Sequence, residues 1–379
     1  MKPVLFVTGH APPARVGAFA ALHERENVHF ALFGGRMTHG IGPHGVTGPS
    51  DAADHEARRT AGMGRELPGA GFPRLRVSQR AIARLAASGR YRAVVASTGG
   101  RLALPAAWAG ARAARVPLLL WTSLWAHPRS PAHVASLVAL RRLYRHADAV
   151  VTYGPHVSAY VHERGARNVH VAVQAVDNDF WSAAAQAPDP PGWPAHTGVR
   201  FLFVGREAAE KGLALLRAAW RACAADANAG AAALVLVGVG PCATGTPTIV
   251  AVGPQDAMQV RNFYAAADVL VVPSIATATF REPWGLVINE AMNQGTPIIA
   301  SDAVGAAAGG LVRHERNGLI VPTADVEALT AAIRRLAGDA DLRRRMGAAG
   351  SVDVRAYSHE AWARGFSGAL DSLGLSRSR

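Results

Sequence analysis

The decisive stretch is FREPWGLVINEAMNQGTPIIASDAVG, residues 280–305, in which patterns typical of a loop, a helix and a strand follow one another. Pro283 suits the first turn of a helix, where the missing N–H of proline costs nothing. A Gly-Thr-Pro sequence then ends the helix before the apolar run PIIAS (297–301), which is typical of a strand. The segment therefore predicts a helix–strand unit, with Glu282 just outside the helix N-terminus and Glu290 inside the helix.

The start of this predicted helix has the properties of an anion site. Its free backbone N–H groups can bind a diphosphate, and Gly285 lets the backbone come close to a ligand. The two carboxylates can then accept hydrogen bonds, one from sugar hydroxyls and the other from a ribose diol. The plainer alternatives are a surface helix residue for Glu290 and a favourable N-terminal charge for Glu282.

Short apolar runs alternate with alanine-rich helical stretches along most of the chain. In the first half the runs are VLFVT (4–8), HFALF (29–33), AVVAS (93–97), LLLWT (118–122) and AVVTY (149–153). In the second half they are FLFVG (201–205), ALVLVG (233–238), TIVAVG (248–253), VLVVP (269–273), PIIAS (297–301) and GLIVP (318–322). Helices between such strands form right-handed βαβ units. The sequence therefore predicts an α/β fold with two Rossmann-like, doubly wound parallel-sheet domains.

The domain boundaries follow from length and from a lapse in this pattern. A chain of 379 residues exceeds the size at which one hydrophobic core stops growing. Proline, alanine and glycine crowd together over 179–198, as in a linker. We predict a first domain over 1–178, a second over 199–356, and a helix within 357–379 that returns to the first. The Gly/His/Pro-rich stretch 34–74 is expected to be a long functional loop.

A second motif, VGREAAEKG (204–212), follows the first strand of the second domain and leads into a helix. It places Arg206 and Lys211 five residues apart in a chain whose only other lysine is Lys2. Arginine offers a planar fork to phosphate oxygens and lysine a compact point charge, so the two are complementary on a diphosphate. A solvated helix start is the alternative.

Together the two motifs resemble the retaining glycosyltransferases of family 4, also called glycosyl transferases group 1. The family hallmark is Glu-x7-Glu followed by Ala-x-x-x-Gly-x-Pro, and the matching residues here are Glu282, Glu290, Ala291, Gly295 and Pro297. The resemblance implies the GT-B fold, in which two domains face a central cleft. It covers the second domain strongly and the first loosely.

The resemblance also implies a role for each residue of the second domain's motifs. By it, Glu282 contacts the transferred sugar and Glu290 the ribose, while Arg206 and Lys211 hold the diphosphate. The adjacent Trp284, Gly285 and Leu286 complete the expected donor site. The implied reaction is retaining transfer of an α-linked sugar from a UDP- or GDP-sugar to a glycan, a lipid-linked or a small-molecule acceptor.

The first domain departs from the family pattern. Where family members often carry a Gly-Gly pair, this chain has HAPPARVGAF (10–19), and we expect Gly17 to donate N–H groups at a helix start. The histidine that the family often has directly after the strand matching LLLWT (118–122) is replaced by Thr122 and Ser123, and the nearest histidine is His127. His127 is therefore a catalytic candidate, with an ordinary loop histidine as the alternative and His10 as a weaker rival.

No metal or cofactor is predicted. Asp302 is a lone aspartate rather than an Asp-x-Asp motif, and it is expected to cap a turn. Charge on the leaving nucleotide is expected to be stabilised by Arg206, Lys211 and the helix terminus near Gly285. The family's favoured picture is attack on the same face of the sugar, with the leaving phosphate helping to deprotonate the acceptor and no assured enzymic nucleophile.

The net charge of +13 favours anionic partners such as nucleotide diphosphates or anionic lipid. The basic, amphipathic stretch 134–145 predicts either a solvated helix face or peripheral contact with the inner face of a membrane. Cys223 and Cys242 form no CxxC motif, and the N-terminus is too short for a signal peptide, so a cytoplasmic protein is expected. No nucleic-acid motif is present. We expect packing in the protein interior, rather than stacking on a ligand, for Trp121, Trp125 and Trp181.

Two other functions remain open at this point. The chain could be a GT-B relative such as an epimerase or a sugar phosphorylase, whose pyridoxal phosphate would need a lysine of the second domain. Lys211 is the only candidate there, and its place in the diphosphate motif opposes that role. The chain could also be a non-catalytic polyanion-binding protein, although this leaves the paired glutamates unexplained.

Overall fold

Two α/β domains, each built on one sheet, make up the protein. The computed structural model describes residues 1–34, 65–66, 71–100, 102–185, 190, 198–224, 232–240 and 248–377. Each sheet is buried between layers of helices, as expected where strands are continuous apolar runs. The predicted class, two parallel-sheet α/β domains, is confirmed.

The first sheet has eight described strands in the order β3-β4-β2-β1-β5-β6-β7-β8, and only β3 runs antiparallel to its neighbour. Its strands are β1 (Val4–Thr8), β2 (Val28–Leu32), β3 (Arg65–Glu66), β4 (Arg74–Arg76), β5 (Ala93–Ser97), β6 (Leu118–Thr122), β7 (Ala149–Thr152) and β8 (Val169–Val171). Its helices are α1 (Pro13–Glu26), α2 (Ala81–Ala86), α3 (Ala103–Ala114), α4 (Pro131–His146) and α5 (Pro155–His162).

The second sheet has six described strands, all parallel, in the order β11-β10-β9-β12-β13-β14. They are β9 (Arg200–Val204), β10 (Ala233–Val237), β11 (Ile249–Gly253), β12 (Val269–Val272), β13 (Ile298–Ser301) and β14 (Gly318–Val321). After α6 (Asn178–Ser182) come α7 (Leu213–Ala224), α8 (Ala257–Ala266), α9 (Leu286–Asn293), α10 (Gly305–Ala308), α11 (Val326–Gly338), α12 (Ala340–Asp353) and α13 (His359–Asp371).

Both sheets reverse their strand order at one point, between β1 and β5 in the first and between β9 and β12 in the second. The loops that leave the carboxyl ends of neighbouring strands diverge there and open a crevice, which is where doubly wound sheets bind ligands. The topology thus directs attention to the loops after β1, β5, β9 and β12.

The stretch 34–74 is not entirely a loop. β4 lies at its end, parallel to β2, and β3 lies within it. Both strands were missed because they are short and carry arginines, so they form no apolar run. Residues 35–64 and 67–70 of the stretch lie outside the described part of the chain.

The helix predicted to start at Pro283 begins instead at Leu286. Gly285 caps it with φ of +90°, a left-handed conformation that favours glycine. Glu282 forms a bridge with Val304, and the backbone N–H of Gly305 donates to the carbonyl of Glu282 at 3.0 Å. This pairing keeps the chain extended up to the cap, so the proline cannot occupy the first turn. Glu282 nevertheless lies outside the helix and Glu290 inside it.

The beginning of the predicted linker is structured. The Asp177 side chain accepts a hydrogen bond from the N–H of Phe180 at 3.0 Å and caps α6. Trp181 on this helix is buried against Tyr264 of the second domain, with ring centroids 5.8 Å apart. Residues 186–189 and 191–197 lie outside the described part of the chain.

Of the two cysteines, Cys223 is buried in the core of the second domain, and Cys242 lies outside the described residues.

The basic face of α4 is exposed to solvent. Arg141, Arg142 and Arg145 are exposed, whereas Tyr144 on the opposite side is fully buried. Val138, with 76% of its surface exposed, adds an apolar position to the outer face. Among the helices in the described ranges, none combines the length and the apolar character needed to cross a membrane.

The last helix, α13, completes the core of the first domain. Trp362 and Phe366 are buried there and pack on Phe6 of β1, with ring centroids 6.4 and 5.4 Å away. The chain thus returns from the second domain and covers one face of the first sheet.

Replacing Trp362 with alanine should destabilise the protein by about 3–5 kcal/mol, because a large buried ring is lost and a cavity remains. Urea unfolding followed by circular dichroism measures the change. Arg364→Ala on the exposed side of the same helix is the control and should shift stability by less than about 0.5 kcal/mol. Equal stabilities for Trp362→Ala and the control would contradict the packing described for α13.

Candidate functional site

The loop after β9 carries Lys211 to the end of β12. Residues Ala209–Lys211 form a turn of 3-10 helix, and Gly212 follows with φ of +68°. A Cβ atom at Gly212 would lie 1.9 Å from the carbonyl oxygen of Pro273, so only glycine fits where the two loops touch. The backbone N–H of Ile275 also donates to the carbonyl of Glu210 at 2.9 Å. The loops of the two central strands are therefore locked together.

An ion pair joins the two sequence motifs at this junction. The ammonium of Lys211 lies 2.5 Å from a carboxylate oxygen of Glu282, although the two residues are 71 positions apart in sequence. Glu282 is 8% exposed and the Lys211 side chain 23%. A charge-assisted contact with so little solvent around it is stronger than a typical surface pair. The structure thus brings the predicted sugar and diphosphate residues into one site.

Arg206 lies on the same loop with its side chain 38% exposed. Its guanidinium pairs with Glu210 four residues later. Both cations predicted to bind phosphate therefore extend from one loop at the carboxyl end of β9, and both hold a carboxylate. A diphosphate bound there would compete with Glu210 and Glu282 for these cations.

Glu290 is buried rather than on the helix surface. Its side chain accepts a hydrogen bond from the hydroxyl of Tyr264 at 2.8 Å, and the residue is 2% exposed. Burial, together with the negative charge and the hydrogen bond of Glu290, raises the pKa of Tyr264 well above its usual value. Tyr264 consequently stays protonated and donates to the carboxylate. The surface alternative for Glu290 is wrong, and the ribose contact stays a prediction.

Trp284 was predicted in the donor site, and the structure shows that its side chain is packed in the protein interior. Its indole N–H donates to the side-chain oxygen of Asn289 at 2.8 Å, and the residue is 3% exposed. Its ring also packs on Tyr357, with centroids 5.7 Å apart. The side chain therefore supports the start of α9, and the neighbouring Gly285 and Leu286 present that start to the cleft.

A cavity of about 760 Å³ lies across the cleft, at the carboxyl ends of the first domain's strands. The loops after β1, β5 and β6 line it and contribute His10, Thr98 and Ser123. Leu286, the first residue of α9, is its sole described lining residue from the second domain. The cavity therefore lies at the switch point of the first sheet and opens towards the start of α9.

Gly17 is not at a helix start, contrary to prediction. α1 begins at Pro13, so Gly17 lies in its second turn, where its N–H belongs to the helix. A Cβ atom at Gly17 would lie 2.3 Å from the imidazole ring of His359 on α13. The glycine is required for close helix packing. The two prolines of the loop moved the helix start earlier than the glycine suggested.

The two histidines predicted for the first domain have different surroundings. A ring nitrogen of His127 lies 3.3 Å from the hydroxyl of Tyr160 on α5, and His127 is not among the described residues that line the cavity. His10, the weaker rival in the sequence, lines the cavity directly. The geometry favours His10 as the histidine nearer to a substrate bound there.

Trp125 and His156 hold the loop that carries Glu282, a role that no sequence motif predicted. The indole N–H of Trp125 donates to the backbone carbonyl of Glu282 at 3.2 Å, and the guanidinium of Arg281 lies 3.6 Å from its ring centre. A ring nitrogen of His156 lies 3.3 Å from the carbonyl of Pro283. The sole signal for His156 was its position just after β7, and for Trp125 its position just after β6.

His156 is uncharged at neutral pH. Burial lowers its pKa from 6.5 to about 4, and the charge of Arg281 acts in the same direction. Because the Pro283 carbonyl can only accept a hydrogen bond, the ring nitrogen facing it carries the proton. In this contact between the domains, a neutral imidazole donates to a carbonyl.

Trp181 packs in the protein interior, as predicted, whereas Trp121 both packs in the interior and lines the cavity. Trp121 is 7% exposed, and its ring packs edge-on against Phe6, with ring centroids 5.4 Å apart.

Asp302 accepts a hydrogen bond from the N–H of Thr323 at 2.8 Å, as a turn-capping residue would. In the described ranges, no group of three metal-ligating side chains comes together.

The second domain matches a known family. Residues 198–339 fit the model of Glycosyl transferases group 1. The D-inositol 3-phosphate glycosyltransferase of Nocardia farcinica is 36% identical over 122 residues, which are 31% of this chain and 24% of that protein. The lipopolysaccharide core biosynthesis glycosyltransferase LpsD of Rhizobium meliloti is 40% identical over 94 residues, 25% of each chain. The matched part thus spans about a quarter of these relatives, and the predicted resemblance is confirmed.

Solved structures resemble the whole chain. Sucrose-phosphate synthase from Thermosynechococcus elongatus has a TM-score of 0.71 at 21% identity, over 99% of both chains. HepE of Anabaena in complex with UDP and glucose has a TM-score of 0.70 at 17% identity, over 98% of this chain and 100% of that one. At such identities the similarity concerns the fold, and it confirms the predicted GT-B architecture.

His156 should make the folded protein sensitive to acid. The unfolded chain binds a proton at His156 near pH 6.5, whereas the folded chain does so only near pH 4, so stability present above pH 6.5 is lost as pH falls through this window. Between pH 7 and pH 4.5, the free energy of unfolding should therefore fall by about 2–3 kcal/mol less in His156→Gln than in the wild type. Urea unfolding at both pH values measures it.

The matched control for this experiment is His146→Gln, which changes an exposed histidine at the end of α4. It should leave the difference between the two pH values unchanged. An acid loss in His156→Gln as large as in the wild type would contradict a buried, neutral His156.

Proposed function

We propose that the chain, whose residues 198–339 match Glycosyl transferases group 1, is a retaining glycosyltransferase. It transfers an α-linked sugar from a UDP- or GDP-sugar to a glycan, a lipid-linked or a small-molecule acceptor. The single observation that carries the proposal is the ion pair between Lys211 and Glu282. The pair lies at the switch point of the second sheet, and it supports the proposal because Lys211 would bind phosphate and Glu282 the sugar.

The donor is bound mainly by the second domain. Its diphosphate lies between Arg206, Lys211 and the N-terminus of α9 at Leu286, where cations and free N–H groups stabilise negative charge. The carboxylate of Glu282, released by Lys211, accepts hydrogen bonds from the sugar. Glu290, oriented by Tyr264, accepts from the ribose.

Catalysis follows from the charge that develops on the leaving nucleotide. As the sugar–phosphate bond breaks, Arg206, Lys211 and the start of α9 stabilise the diphosphate. The acceptor enters from the cavity of the first domain and attacks the same face of the sugar, and its proton passes to the leaving phosphate. His10 orients the acceptor from the cavity wall. The reaction requires no divalent metal and no further cofactor in this proposal.

Similar proteins support a nucleotide-sugar donor and a role in glycoconjugate or polysaccharide synthesis. HepE of Anabaena binds UDP and glucose, and LpsD acts in lipopolysaccharide core biosynthesis. Contact with an anionic lipid surface through Arg141, Arg142 and Arg145 of α4 suits a lipid-linked acceptor. A cytoplasmic site of action is part of the proposal. A pyridoxal phosphate role for Lys211 is disfavoured because its ammonium pairs with Glu282.

Loss of either partner of the ion pair should abolish transfer without unfolding the protein. Glu282→Gln and Lys211→Met should each lower kcat/KM for sugar transfer at least about 100-fold, since each removes a charge that acts in the transition state. Release of nucleoside diphosphate from UDP- and GDP-sugars measures the rate, and circular dichroism measures folding.

Two exposed residues supply the controls. Lys2→Met removes the other lysine of the chain, and Glu327→Gln neutralises a glutamate in the first turn of α11. Both should retain wild-type rates. Wild-type rates in folded Glu282→Gln or Lys211→Met would refute the proposed site.

The product of an α-configured donor should be an α-glycoside, because attack and departure occur on one face of the sugar. Proton NMR of the product, taken before any equilibration, distinguishes the two anomers by the coupling of the anomeric proton. A β-glycoside as the first product would contradict retention while leaving the donor site intact.

A further inference from the structure

Arg15 is a buried arginine in the wall of the first domain's cavity. It lies on α1, is 7% exposed and lines the cavity. One terminal nitrogen, Nη2, donates to the side-chain oxygen of Gln174 and lies 3.4 Å from the hydroxyl of Tyr153. The other, Nη1, has no hydrogen-bond partner in the described part of the chain. Within the same part, no carboxylate forms an ion pair with Arg15.

A buried guanidinium without a countercharge is costly. Buried charges are normally paired, and the penalty of leaving one unpaired amounts to several kcal/mol. The rings of Trp121 and Tyr153, centred 5.5 and 5.4 Å from the guanidinium carbon, offset a part of this penalty. Gln174 holds Nη2, so the guanidinium has a fixed position, and an anionic ligand would supply the countercharge that it lacks.

A second nitrogen in the cavity wall also lacks a partner within the described part of the chain. The indole nitrogen of Trp121, another lining residue, also has no partner among the described residues. The described lining includes no aspartate or glutamate, whereas Thr98 and Ser123 add hydroxyl groups. A wall with a fixed cation, free N–H groups and no carboxylate fits an anion that also carries hydroxyls.

Resting on the proposed glycosyltransferase function, we propose that the acceptor carries an anionic group, a phosphate monoester or a carboxylate, which binds the guanidinium of Arg15. The guanidinium acts as a specificity-determining group that selects charged acceptors over neutral ones. Its Nη2 is held by Gln174, and Nη1 is the nitrogen without a partner in the described part of the chain.

The anion belongs to the acceptor rather than to the donor diphosphate. Arg15 lies in the first domain, in a cavity to which the second contributes only Leu286 among its described lining. The diphosphate already has Arg206 and Lys211 on the second domain. Gln174 ties the two halves together, since its backbone carbonyl accepts a hydrogen bond from Asn289 of α9 at 3.0 Å. The acceptor's anion is thereby held at a fixed position relative to the donor helix.

The first test is binding of inorganic phosphate with the donor site blocked. With whichever of UDP, GDP or dTDP binds present at saturation, phosphate should raise the melting temperature of the wild type and not that of Arg15→Met. Sodium chloride at matched ionic strength corrects for screening. Arg112→Met, which removes an exposed arginine of the same domain, should respond as the wild type does.

The second test uses pairs of acceptors that differ only in charge: glucose and glucose 6-phosphate, fructose and fructose 6-phosphate, and myo-inositol and its 3-phosphate. For the pair that is used best, the wild type should prefer the phosphate by about 10–100-fold in KM, as expected for a charge-assisted hydrogen bond. Arg15→Met should abolish this preference, and Arg15→Lys should restore a part of it, with kcat less affected.

Each outcome decides the proposal. Phosphate stabilisation or acceptor preference that persists in Arg15→Met overturns it, and so does the absence of both in the wild type. Weaker UDP binding in Arg15→Met with an unchanged acceptor preference assigns the guanidinium to the donor and also overturns it. If no nucleoside diphosphate binds the wild type, the proposed function fails, and the phosphate titration without nucleotide still tests Arg15. Replacing an unpaired buried charge with methionine should preserve folding.

Discussion

The ion pair between Lys211 and Glu282 is the contact on which the donor side of the cleft depends. It joins the loop after β9 to the loop after β12, the two strands that flank the switch point of the second sheet. Gly212 makes the contact possible, because any side chain there would strike Pro273. The two charges lie 2.5 Å apart with little solvent around them. In the proposed function, the diphosphate takes the place of Glu282 at Lys211, and the sugar takes the place of Lys211 at Glu282.

The first domain holds this loop from the other side. Trp125 and His156 donate to the backbone carbonyls of Glu282 and Pro283, and Trp284 packs against His156. These contacts use backbone oxygens of the loop and leave the carboxylate of Glu282 for Lys211 and for a ligand. The helix α13 also returns from the second domain to the core of the first. The cavity lined by Arg15 lies on the first domain's side of these contacts, and Leu286 of α9 is part of its wall.

The strands were predictable because parallel strands covered on both faces are continuous apolar runs. AVVAS (93–97) and LLLWT (118–122) coincide with β5 and β6. Short strands with polar residues, such as β4 and β8, produce no such run and were missed. Lysine usage was informative because Lys211 stood out in a chain that otherwise uses arginine, and the structure places it beside Glu282.

The positions set by tertiary contacts were not predictable from local rules. Pro283 satisfies the rule for a helix start, but the bridge between Glu282 and Val304 keeps it extended. Gly17 satisfies the rule for a phosphate loop, but the ring of His359 explains it instead. The role of His156 depends on a carbonyl 127 residues away, and no local pattern contains that information. Arg15 stood next to a predicted site residue, and only the structure showed its unpaired nitrogen.

The most direct measurement is a crystal structure of the protein with a non-hydrolysable nucleoside diphosphate sugar. The account predicts the diphosphate between Lys211, Arg206 and the N-terminus of α9, with the sugar hydroxyls on the carboxylate of Glu282 and the Lys211–Glu282 contact opened. A diphosphate bound elsewhere, with the ion pair between Lys211 and Glu282 intact and no ligand atom near it, would contradict the account.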